Sequence, residues 1–155
     1  PPATMVDERD VQALHRALRL ELGVTRARAV GRQAGLLTGD YLLANRIPKP
    51  ARALLPHLPA AWAASALLMA VKKHAWTFCG SGIFTVLPAQ GRTPLRVSIS
   101  SPATCRGAHA EEPLGDYFGA TFERLFQVLV HPQTRVTEVA CIAMGAPACV
   151  YELVW

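Results

Sequence analysis

Apolar residues recur at helical spacing along the first half of the chain. Val11, Leu14, Leu18 and Leu22 form one stripe, with Asp7 placed ahead of them as an N-cap and Gly23 after them as a stop. The pattern predicts a helix from Asp7 to about Leu22. Thr25 can cap a second helix, in which Val30, Leu37, Tyr41 and Leu42 recur near the same period. Gly31, Gly35 and Gly39 stand four apart on it and leave one face without side chains. Such a face suits close packing on another helix or close approach of a ligand. Pro48 and Pro50 break the pattern, Pro56 and Pro59 punctuate a short helical piece, and the apolar run from Ala60 to about His74 predicts a third helix.

The period then changes. Trp76 to Leu87 reads as a strand interrupted by Gly80-Ser81-Gly82, with Leu95 to Ser100 as its hairpin partner. The glycines read as a bulge or bend, because no helix start follows them as a phosphate loop would require. Ser101 to Pro113 is a long loop. Phe118, Phe122, Leu125, Phe126 and Leu129 share the inner face of a helix from Asp116 to about Val130. Arg135 to Ala143 and Cys149 to Val154 form a second hairpin around Gly145-Ala146-Pro147. This order predicts a single α+β domain over residues 1–155. Its helical part covers about 7–75 and packs on a sheet part, about 76–155, made of two antiparallel hairpins separated by a helix.

Composition adds a surplus of apolar residues: 51% are hydrophobic and 17% charged. That surplus implies a large core, an oily pocket or a covered interface. The longest apolar stretch, Ala60 to Val71, is too short to cross a bilayer and is closed by Lys72 and Lys73. The net charge is +5. Its basic clusters, Arg26, Arg28 and Arg32, then Arg46, Lys49 and Arg52, lack the interleaved aromatics or recognition helix that nucleic acid requires. They read as a solvated face, or as a seat for carboxylates or an acidic partner. With no secretion signal recognised, the four cysteines are expected as reduced thiols or metal ligands in the cytoplasm.

Candidate chemistry concentrates in the second hairpin. Cys141 and Cys149 are each four residues from Gly145, so a symmetric turn sets them opposite each other with Cβ atoms about 5 Å apart. Thiols so placed can form a disulfide, share a metal ion, or simply pack as small apolar groups. Glu138 precedes Cys141 by three, an odd separation that puts the two on opposite faces of an ideal strand. A shared site therefore requires a bulge or a twisted strand end.

Glu138-x-x-Cys141, then Gly145, then Cys149 before an aromatic-bearing strand, resembles the 4-vinyl-reductase domain family. That family includes the sensor domains of phenol-responsive transcription activators. Asp40-Tyr-Leu-Leu-Ala-Asn-Arg-Ile-Pro-Lys-Pro50, His74-Ala-Trp-Thr-Phe78 and Gly80-Ser-Gly82 are similar to its bacteriochlorophyll-synthesis branch. The resemblance implies a structural zinc held by a glutamate and three cysteines, of which Glu138, Cys141 and Cys149 carry over. Gly115 stands where the family has its remaining cysteine, leaving Cys105, His109, Asp116 or water to complete the set.

The resemblance also implies a vinyl reduction on a chlorophyll precursor. No dinucleotide fingerprint and no cluster spacing of cysteines accompanies it in the sequence. The expectation is therefore a binding or carrier protein for a magnesium tetrapyrrole, of the chlorophyllide, protochlorophyllide or magnesium-porphyrin type, rather than a catalyst. The alternatives are a vinyl reductase using a partner electron donor, and a sensory domain for a small aromatic molecule. His74 is the candidate axial ligand of the magnesium, with Trp76, Phe78, Tyr41, Tyr117, Phe118 and Phe122 as pocket walls. Expected partners are the pigment, other enzymes of bacteriochlorophyll synthesis and a second copy of the chain, at the periphery of the photosynthetic membrane.

Overall fold

The computed structural model describes residues 6–155. Helix α1 (Glu8–Leu22) starts at Asp7, whose Oδ1 accepts the Arg9 amide at 2.8 Å, and stops at Gly23, where φ is 77°. Its expected stripe is only half covered: Val11 and Leu18 are partly buried, whereas Leu14 and Leu22 are exposed. The reason is that no residue of α1 enters the core. Polar contacts hold the helix instead, with the Gln12 side chain donating to the Arg106 carbonyl at 3.0 Å and Arg19 to the Thr104 carbonyl at 2.9 Å.

Helix α2 (Val24–Asn45) begins directly after Gly23, before the Thr25 expected to cap it. Its glycine face packs against α6 (Asp116–Leu129). A Cβ on Gly35 would lie 2.2 Å from the Tyr117 carbonyl oxygen, and one on Gly39 would lie 2.7 Å from the Arg124 Cβ. Thr121 donates to the Gly35 carbonyl at 3.1 Å, and Arg124 donates to Asp40 at 2.6 Å. The three glycines therefore serve helix packing, one of the two uses their spacing allows.

Short α3 (Lys49–Leu54) and a 3-10 turn (Leu55–His57) lead to α4 (Ala60–Lys73), which buries Ala63, Ala64, Leu67 and Leu68. Trp76–Cys79 forms a further helical turn, α5, rather than the start of a strand. Thr77, Phe78 and Cys79 continue the backbone bonding to the carbonyls of His74 and Ala75, and Gly80, with φ 57°, is the first residue that breaks it. The helical part thus runs to residue 79.

Strand β1 (Phe84–Leu87) pairs with β2 (Leu95–Ile99), and β3 (Arg135–Ala140) pairs with β4 (Cys149–Val154). The two antiparallel hairpins join through β2 and β4, giving the order β1-β2-β4-β3. The fold is α+β. Val97, Ile99, Tyr151 and Leu153 bury one sheet face, and α6 contributes Phe118, Phe122, Leu125, Phe126 and Leu129 to the same core. Each such side chain stabilises the fold by about 1.5–3 kcal/mol. Strand β3 ends at Ala140, short of the expected Ala143, because Ile142–Met144 winds into a 3-10 turn before Gly145 at φ 89°.

Candidate metal centre: three thiols and a carboxyl at the sheet end

Cys141 leaves β3 in extended conformation and Cys149 opens β4, so the turn between them closes on the paired thiols. Their sulfurs lie 3.7 Å apart and are not bonded. Two sulfurs held about 2.3 Å from one tetrahedral zinc would be separated by about 3.8 Å. The pairing register shifts between Glu138↔Tyr151 and Ala140↔Val150, so Val139 is an extra residue in β3. This is the bulge that a shared site for Glu138 and Cys141 requires. Glu138 consequently faces inward, close enough to Cys141 and Cys149 for both thiols to act on its ionisation.

The third sulfur comes from the long loop. Pro102 to Ala108 is a compact turn in which Cys105 and Ala108 donate to the carbonyls of Pro102 and Cys105. It presents Cys105 so that the sulfurs of Cys105, Cys141 and Cys149 all lie within 4.8 Å of one another, each in a buried residue. The other candidates for this place are elsewhere. Asp116 accepts from Arg28 at 2.9 Å, and His109 is exposed.

Gly115 explains why no cysteine stands at its position. Its amide donates to Glu138 Oε2 at 2.6 Å. A Cβ there would lie 2.1 Å from the Tyr151 hydroxyl and 2.7 Å from Glu138 Oε1. Tyr151 thus occupies the space in which a residue-115 side chain would begin. Glu138 Oε1 and the Tyr151 hydroxyl are buried without hydrogen-bond partners. Such groups each cost about 1–3 kcal/mol unless something meets them.

Ionisation follows from this crowding. Burial, reinforced by the charge of Cys141, pushes the Glu138 carboxyl up to about 8. Hydrogen bonds from Cys105 and Cys149 draw the Cys141 thiol down, while the same sharing raises Cys149. Cys105 is pushed up to about 12, first by Cys141. A cluster that favours one thiolate and leaves a carboxyl oxygen unmet has the donor chemistry of a three-sulfur, one-oxygen zinc site. Tyr151 is the member that sequence reading missed. Its signal was the inward alternation of Cys149, Tyr151 and Leu153 along β4.

The pigment candidates fall into two groups. Phe118 and Phe122 are buried, while Tyr117 and Phe78 are half-buried. Phe78 packs on Phe84 and Phe118, and Phe122 packs on Tyr151, so they connect the core to the thiol cluster. Tyr117 meets Thr38 at 3.2 Å. His74, Trp76 and Tyr41 are exposed, with His74 ending α4. Tyr117 also lines a cleft of about 10 Å³ with His15, Arg19, Arg28 and Asp116, the scale of one water molecule.

Residues 95–154 match the 4-vinyl-reductase domain. Over 153 residues, 99% of this chain, the sequence is 46% identical to the bacteriochlorophyll synthase 23 kDa chain of Cereibacter sphaeroides, covering 72% of that protein. It is 40% identical over the same length to the protein of that name from Rhodobacter capsulatus, covering 70%. The phenol-responsive sensory domain of the transcription activator PoxR, solved with phenol, superposes with a TM-score of 0.71 at 16% identity, covering 99% of this chain and 76% of that one. That likeness is one of fold. The identity along almost the whole chain establishes the relationship: it belongs to the family of the bacteriochlorophyll synthase 23 kDa chain, and its C-terminal part matches the 4-vinyl-reductase domain.

Proposed function

We propose that this protein takes part in bacteriochlorophyll synthesis by binding a magnesium tetrapyrrole intermediate and presenting it to the pathway's enzymes. The observation that carries the reading is the 46% identity, along 99% of the chain, to a protein named as a chain of bacteriochlorophyll synthase. The surface supports it. His74 and Trp76 stand exposed at the end of α4, two residues from half-buried Phe78, where an imidazole can meet an axial magnesium position while an indole lies along the ring. Because these residues reach solvent, the ring would lie against the protein rather than inside it.

The second part of the reading is a structural zinc held by Cys105, Cys141, Cys149 and Glu138. The ion would neutralise the thiolates, meet the unpartnered Glu138 oxygen and tie the 102–108 turn to the sheet. Its contribution is to folding, at a distance from the exposed aromatics.

One preparation tests both parts. Metal analysis is expected to return about one zinc per chain, and Cys105→Ala or Cys141→Ala to lower zinc content and melting temperature together. Titration with a magnesium tetrapyrrole should shift or sharpen its absorption at micromolar protein. His74→Ala should weaken binding of the magnesium pigment by about 1–3 kcal/mol and leave the metal-free pigment nearly unaffected. Conversion of vinyl to ethyl by the isolated chain with a reductant would replace the carrier reading by a reductase. Pigment spectra unchanged by the protein would remove it.

A further inference from the structure

Two of the three tryptophans are largely exposed, Trp62 at 69% and Trp76 at 65%, and Met69 on the same helix as Trp62 is 70% exposed. Large apolar side chains displayed in this way mark a surface that meets something else. Helix α4 explains the display. Its inner face buries Ala63, Ala64, Leu67 and Leu68, while Trp62 and Met69, seven residues apart, share the outer face. Lys72 and Lys73 follow Met69 by three and four positions, which places their charges on that face at its C-terminal end. Trp76 stands in the next turn.

Charge identifies what the face meets. All eleven Asp and Glu residues lie at positions 7–40 or 111–152; residues 41–110 contain none, and eight Lys and Arg. This span comprises the end of α2, then α3, α4, α5, β1 and β2. Arg96 pairs with Glu152 and Arg106 with Glu8. Among the described residues Arg46, Lys49, Lys72, Lys73 and Arg92 enter no ion pair, and all five are exposed. Tryptophan and methionine on a helix face, followed by lysines and carried by a span free of acids, match an anionic bilayer surface. Indoles settle at the headgroup level, acyl chains receive the methionine, and lysines meet the lipid phosphates. No described helix is long and apolar enough to cross a membrane, so the contact is made in the plane of the interface.

We infer that the outer face of α4, with Trp62, Met69, Lys72 and Lys73 and with Trp76 beyond it, is a docking surface for anionic lipid bilayers. The surface places the exposed His74 at the membrane boundary, where an amphiphilic ligand is delivered or collected.

The test is co-sedimentation of the intact chain with vesicles of equimolar phosphatidylglycerol and phosphatidylcholine, against vesicles of phosphatidylcholine alone. No pigment is present, so the result is independent of the pigment-binding proposal. Binding to the anionic vesicles is expected, weakened by salt, with a blue shift of tryptophan emission and its quenching by brominated acyl chains. Lys72→Gln with Lys73→Gln should lower partitioning about thirtyfold. Trp62→Ala with Met69→Ser should lower it about tenfold or more while the far-ultraviolet spectrum is unchanged. Should either variant fail to fold, the salt titration and the brominated-lipid quenching of the unaltered protein decide the matter. Absence of sedimentation, equal binding to both vesicle types, or unquenched tryptophans in the bound state would overturn the inference. So would sedimentation-velocity evidence that the face instead joins two copies of the chain, as a dimer that Trp62→Ala dissociates and lipid does not.

Discussion

At residue 115 the absence of a side chain is a packing requirement. The Gly115 amide binds one Glu138 oxygen while the Tyr151 hydroxyl stands where a Cβ would go. Gly115→Ala is expected to destabilise the protein by about 1–3 kcal/mol, read as a lower urea midpoint at unchanged slope. Tyr151→Phe removes an unpartnered hydroxyl and should be neutral or slightly stabilising. In that background Gly115→Ala should cost measurably less, a coupling that a double-mutant cycle reports. The thiol pair and Glu138 were legible in the sequence because a turn glycine and strand alternation are periodic rules. The same rules supplied the condition that the extra residue Val139 meets. Cys105 was one of several alternatives because the loop that carries it obeys no period. Tyr151 was legible as an inward residue only, since nothing along the chain announces that its ring ends beside Gly115.

Among the elements, the contact between α2 and α6 was readable from three glycines, and its tightness is now measurable. Gly35→Ala would drive a methyl into the Tyr117 backbone, where no flexible side chain can give way. We expect a loss of about 3 kcal/mol or more, with Gly31→Ala, whose Cβ would sit 3.8 Å from the nearest atom, nearly neutral by the same thermal assay. Trp76–Cys79 was misread because its aromatics and its cysteine suit a strand equally well; the unbroken bonding from α4 outweighs that preference. Helix α1 was readable as a helix but not in its attachment, which depends on side chains distant in sequence. Glu8 accepts from the Ser81 amide at 2.9 Å and pairs with Arg106 at 3.1 Å. The Arg106 hydrogen bond, then those from Ser81, hold its carboxyl down at about 2, from an ordinary 4.5. Because the folded value lies below the unfolded one, this contribution is present above pH 4.5 and is lost as pH falls toward 2. Amide exchange in α1 should therefore rise across that acid range, and Glu8→Gln should show the faster exchange already at neutral pH.

For the molecule as a whole, the turn that presents Cys105 is also the turn that α1 grips, through Gln12 at Arg106 and Arg19 at Thr104. Loss of metal from the thiol cluster is thus expected to propagate outward. Chelation should lower the melting temperature and raise exchange first in residues 101–115 and α1, while the paired glycine helices and β2 remain protected. A uniform rise in exchange would argue against this hierarchy.

The uneven placement of charge along the chain has a kinetic consequence. A chain whose acids all lie outside one seventy-residue span carries a permanent dipole, and a dipole is turned by a field before it touches the source of that field. Approach to a negatively charged surface would then be oriented, with α4 leading, and productive collisions would be more frequent than random tumbling allows. Raising the ionic strength should slow arrival steeply while leaving the rate of departure, set by the apolar contacts of Trp62 and Met69, much less changed. Stopped-flow mixing with vesicles across a salt series would separate the two rates.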